Sequence, residues 1–157
     1  MKKLLTALVL SLAFISGCLS FPVAAQNTIT DYSYTEYEYF DDGSYLATTV
    51  TVYAGISRSS TKSGSKTTTY NDSTGAVVWS YTVNGTFTYT GSSATCTYVS
   101  DTYSVNSSNW SVISHSCSKS ANNAVGTATA KCSVSGVIKN TVPLSVTLTC
   151  SPTGVLS

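Results

Sequence analysis

The sequence predicts an all-β protein, an antiparallel β-sandwich with a barrel as the alternative and little or no helix after residue 25. Three observations point there: period-two alternation of apolar and hydroxylated residues, turn signals at regular intervals, and the absence of sustained helical periodicity. Composition agrees. Charged residues are only 10% of the chain, well under the roughly 25% usual in globular domains, and Ser, Thr, Tyr and Asn take their place.

The alternation is cleanest from Val77 to Thr90. Odd positions there carry Val77, Trp79, Tyr81, Val83, Gly85, Phe87 and Tyr89, and even positions from Ser80 onward carry hydroxyls and Asn84. Asn84-Gly85 suggests a two-residue hairpin, but that turn would point Phe87 and Tyr89 away from the core. One long strand that bends or bulges at Gly85 is the better reading.

Tyr45 to Ala54 has the same pattern, with Leu46, Val50, Val52 and Ala54 on one face and Tyr45, Thr49, Thr51 and Tyr53 on the other. The turn Asp41-Asp42-Gly43-Ser44 precedes it. From Asp31 to Phe40, Tyr32 and Tyr34 are even but Tyr37 and Tyr39 odd. That parity switch implies a bulge or two exposed faces, and hence an edge strand. Further strands are expected at Ala94–Ser104, Trp110–Ser118, Gly126–Val134 and Leu144–Cys150. The lysine-bearing stretch from Gly55 to Lys66 reads as the most mobile internal loop.

The start of the chain reads as a bacterial export signal. Lys2 and Lys3 precede an uncharged apolar run from Leu4 to Ile15, and Val23-Ala24-Ala25 forms a cleavage site that leaves Gln26 first. The run is shorter than the roughly 20 apolar residues of a membrane span. Residues 26 to 157 then form one β domain, secreted. Ile15-Ser16-Gly17-Cys18 offers the alternative, a lipobox that would anchor the domain at Cys18. Without Lys2 and Lys3 the chain has six cations against seven carboxylates, so nothing attracts nucleic acid, or a membrane in the absence of a lipid anchor.

Four cysteines follow the signal: Cys96, Cys117, Cys132 and Cys150. An even number in an exported chain reads as two disulfides. Spacings of 21, 15 and 18 residues contain no Cys-x-x-Cys pair, which argues against zinc. Three pairings are open, and the working hypothesis is nested, Cys117 with Cys132 and Cys96 with Cys150. No metal or other cofactor is expected.

Gly85-Thr86-Phe87-Thr88-Tyr89-Thr90-Gly91 leading to Ala94-Thr95-Cys96, then Leu148-Thr149-Cys150 and a tail containing Gly154, together with Trp79, resembles a family of small secreted proteins of unknown function from Gram-positive, largely gut-dwelling bacteria. The resemblance covers roughly Tyr70 to Ser157. It implies a signal peptide, a β fold and a Cys96–Cys150 bond, and transfers no catalytic residue.

No catalytic constellation emerges. His115 with Asp101 and one of many serines would make a triad, but no Gly-x-Ser-x-Gly is present. Glu36 with Glu38, and Asp41 with Asp42, read as solvated charges guarding an edge. The aromatic residues are the functional signal: Tyr32, Tyr34, Tyr37 and Tyr39 in one acidic segment, with Trp110 opening a later strand. Tyrosine's flat ring and polar tip suit stacking on sugars or docking a protein. The expectation is a non-catalytic binding module for a glycan or protein; the alternatives are a surface component that self-assembles by edge-strand pairing, and a secreted toxin or antimicrobial factor.

Overall fold

The computed structural model describes residues 32–53 and 60–157. The expected signal, the cleavage site after Ala25 and the lipidation alternative at Cys18 lie outside them. The described residues contain eight strands: β1 (Tyr32–Tyr39), β2 (Tyr45–Tyr53), β3 (Thr61–Asn71), β4 (Val77–Tyr89), β5 (Ala94–Val105), β6 (Trp110–Ser120), β7 (Asn123–Val134) and β8 (Val137–Thr149). They form two antiparallel meanders, a five-stranded sheet in the order β1-β2-β3-β4-β5 and a three-stranded sheet in the order β6-β7-β8. The two sheets pack face to face as a sandwich and do not close into the barrel that was the alternative.

The core lies between unequal side chains. Strand β4 sends Trp79, Tyr81, Val83 and Phe87 inward, all fully buried, as its alternation predicts. The facing positions of β7 are small: Ala124, Gly126, Ala128 and Ala130. Bulk on one sheet and near-absence of side chain on the other bring the layers close. A Cβ on Gly126 would collide with Val83 Cγ2 and lie 2.5 Å from the Tyr81 hydroxyl. Gly126→Ala should therefore destabilise the fold by about 1–3 kcal/mol, the usual cost of overpacking, read as a lower urea midpoint at unchanged slope.

Five expectations need correction here. Gly85 is neither bend nor bulge: the ladder runs through it regularly, opposite Gly64 and Val99, and the β4–β5 irregularity comes beyond Thr86, where Phe87 pairs with Cys96 and skips Thr97. Its role is space, since a Cβ there would lie 2.6 Å from the Phe87 ring and 3.0 Å from Ala124. Val77 is exposed and Val78 buried, because β4 slips by one residue against β3 at that end.

The supposed loop from Gly55 to Lys66 conceals half of a central strand. Thr61 to Lys66 belong to β3, and Gly64 and Ser65 are buried; residues 54–59 lie outside the description. The strand lacks apolar residues there because Gly64 leaves room for Leu156, which fills the core from the far end of the sequence.

The four described cysteines are free thiols, so neither expected disulfide is present. For Cys117 and Cys132 the reason is register. The turn Ala121–Asn122 sets Ser120 opposite Asn123, which places Cys117 opposite Gly126 and Cys132 opposite Trp110. Six residues of extended strand, roughly 20 Å, separate the pair, far beyond a disulfide's reach. Cys96 and Cys150 differ. Their amides donate to the successive carbonyls of Ala121 and Asn122, at 2.8 and 3.0 Å, so the same turn gathers both.

Finally, β8 begins at Val137, earlier than the expected Leu144. Ser135 (φ 52°) and Gly136 (φ 77°) form the two-residue turn that pairs Val134 with Val137.

Candidate functional site

The expected binding residues divide among three environments. Strand β1 is an edge strand with every residue exposed, paired with β2 in unbroken register. The parity switch thus reflects two exposed faces and no bulge. Tyr32 and Tyr34 sit opposite Val52 and Val50, on the inner side of the sheet, while Tyr37 and Tyr39 lie on the outer side. Trp110 joins neither group. Half-buried, it packs against Tyr70 at 5.1 Å between ring centroids, and Tyr70 meets Phe40 at 6.3 Å, so Trp110 closes one end of the core.

The outer group is completed by Tyr45, which the sequence reading counted only as a strand residue. Tyr39 lies directly opposite Tyr45 in the ladder. Ring centroids are 5.2 Å apart for Tyr39–Tyr45, 6.0 Å for Tyr37–Tyr45 and 6.4 Å for Tyr37–Tyr39. Packing of this kind fixes the rings at little remaining entropic cost while Tyr37 and Tyr39 stay 59% and 69% exposed.

Next to the rings the outer face becomes a hydroxyl surface. Thr35, Thr49, Thr67, Thr82 and Thr102 stand in register across all five strands. Thr35 and Thr49 share a hydrogen bond of 2.8 Å, as do Thr67 and Thr82. At the hairpin, Asp42 accepts from the Ser44 amide (2.9 Å) and hydroxyl (2.5 Å), which fixes the chain entering β2. These bonds hold its carboxyl below the usual range. The same Asx-type chemistry shapes the β3–β4 turn at Asp72, which accepts from the amides of Thr74 and Ala76. The expected acidic turn is therefore a structural device. Among the described residues no group of His, Cys, Asp and Glu could hold a metal ion.

A second polar cluster joins β5 to β6. His115 Nδ1 lies 2.7 Å from Asp101 Oδ2, and the Tyr103 ring packs on the imidazole at 4.9 Å. The fully buried Tyr81 shares its one hydroxyl proton between Asp101 Oδ2 (3.1 Å) and the Ser116 carbonyl (2.9 Å). The Cys117 thiol also reaches Asp101.

The His–Asp half of a triad therefore exists, without a nucleophile bonded to it among the described residues. No serine is hydrogen-bonded to His115 among the described residues, and burial followed by the bond to Asp101 raises the Cys117 thiol, disfavouring the reactive thiolate. The cluster pins the two sheets together along their closed side. For Asp101, burial raises the pKa, yet hydrogen bonds from His115, Cys117 and Tyr81 outweigh it and the net shift is downward. A depressed carboxyl stabilises the fold above its unfolded pKa, and that contribution disappears as pH falls through the folded value. Asp101→Asn should thus flatten the fall in stability with acid below about pH 4, measured by urea titrations at successive pH values.

Comparison with known proteins adds no assignment: no protein-family model, curated protein or solved structure matches the chain. Among the described residues no helix is long and apolar enough to cross a membrane.

Proposed function

We propose that the chain is an exported, non-catalytic glycan-binding module whose platform is the outer face at Tyr37, Tyr39 and Tyr45. The observation that carries this reading is the three packed rings, two of them more than half exposed, beside a row of threonines in register. Sugar rings offer apolar C–H faces to an aromatic plane and equatorial hydroxyls to polar neighbours. Rings and hydroxyls on one rigid surface answer both, at low ordering cost.

The test is a glycan array with the oxidised domain from Gln26 to Ser157. Saturable binding to one carbohydrate class is expected, and Tyr39→Ala should weaken it about tenfold or more, the loss of one aromatic anchor. Tyr32→Ala, on the opposite face, should leave it unchanged. Equal binding by wild type and Tyr39→Ala would remove the platform from consideration.

A second reading rests on a different observation, the outer edge of β1, which pairs with no other strand among the described residues. A copy of the same strand pairing there would make the protein a self-assembling surface component. Sedimentation that stays monomeric as concentration rises would exclude it.

A further inference from the structure

The two sheets are unequal, and the surplus lies on the side away from the Asp101–His115 cluster. There β1 and β2 extend past β8, an edge of the smaller sheet among the described residues. Between them runs a groove formed of two cavities of about 420 and 460 Å³ that share Glu38 and Leu46. One wall is the inner side of β1 and β2, and the other is β8 from Asn140 to Thr147.

We propose that this groove is a strand-addition site, in which an extended peptide bearing basic side chains pairs with the edge of β8 from Thr141 to Thr147. The backbone carries the first part of the argument. Thr149 exchanges both of its backbone hydrogen bonds with Ser157, at 2.8 and 3.0 Å, on the side of β8 away from β7. The chain's own tail thus already occupies the first place in that lane. Backbone direction reverses at each residue and so repeats every second one, and Thr147, Ser145 and Thr141 therefore turn their N–H and C=O groups the same way as Thr149, toward the groove. Pro143 has the same parity, where its missing N–H interrupts no bond to β7.

The tail also shows what an added strand does with its side chains. Leu156, next to Ser157, points between the sheets and is fully buried against Gly64. Further along the lane the inward positions would be those opposite Val146 and Leu144. The surface they meet is acidic: Glu36 and Glu38 line the wall, Asp42 stands at the far end, and Lys66 is the one cation among the lining residues. A lysine or arginine there lays its stem on Leu46 and brings its charge to the two glutamates. Strand pairing supplies affinity without sequence preference, and the carboxylates select the basic partner.

The test is calorimetric titration of the full domain with the capped peptide acetyl-Thr-Lys-Thr-Lys-Thr-Val-Thr-amide. Saturable binding is expected, and binding should be lost when glutamate replaces both lysines. Ser145→Pro removes an edge N–H, and Glu36→Gln with Glu38→Gln removes the charge; each should weaken affinity about tenfold or more. A peptide N-methylated at the threonines that donate to β8 should fail as Ser145→Pro does, and it leaves the protein unaltered should that variant not fold. The proposal is overturned by no binding at about 1 mM peptide, by equal binding of the glutamate peptide, or by indifference to both the proline and the N-methyl groups. A dimer that forms without peptide and is abolished by Ser145→Pro would also overturn it, since the occupant would then be a second copy.

Discussion

Trp79→Ala is expected to cost about 3–5 kcal/mol, the range for emptying a fully buried aromatic site, and to leave the domain partly unfolded at 37 °C. Trp79 is completely buried on β4, between Tyr70 of β3 and Val105 of β5 in the ladder. A cavity of that size cannot be filled by neighbours held in two sheets. Its Nε1 has no hydrogen-bond partner among the described residues, so part of the indole's contribution is offset by an unmet donor. Trp79→Phe should consequently cost far less than lost area suggests. Urea unfolding followed by far-UV circular dichroism distinguishes the two variants, and equal losses would show that the indole N–H is satisfied in solution.

Oxidation should produce the other large effect. In an oxidising compartment Cys96 and Cys150 are expected to join, and a bond closing so long a loop adds about 4 kcal/mol by restricting the unfolded chain. Cys117 and Cys132 should remain titratable. Burial raises both the Cys96 and Cys150 thiols; Lys119 and Lys62 respectively lower them, and the adjacent Cys96 adds to the rise at Cys150. The folded, reduced protein should therefore oxidise slowly, because the thiolate is the attacking species. Free-thiol counts, peptide mapping and urea midpoints before and after oxidative refolding would decide the matter. Four reactive thiols after oxidation, or a Cys96–Cys117 bond, would refute the pairing.

The long alternating strand β4 and the edge character of β1 were legible in sequence because side-chain periodicity is a local property. Strand β3 was not, since its inner positions are Lys62, Gly64, Lys66 and Thr68. Gly64 is packed by Leu156, more than ninety positions away in sequence, and Lys66 faces an open groove. Neither fact leaves a local mark. The Cys117–Cys132 pairing failed for a similar reason: inward parity was read for Cys132, but register depends on a two-residue turn at Ala121–Asn122 that composition alone did not locate. Four tyrosines in one segment drew attention to β1. Their division between two faces, and the recruitment of Tyr45, required the pairing of β1 with β2.

Leu156 also bears on when the fold can close. Gly64, against which it packs, belongs to β3, so the first meander can pair its strands before β8 is made, yet its inner surface stays open until β8 and Leu156 have joined it. Closure of the core is therefore a long-range event, completed only when Leu156 is in place.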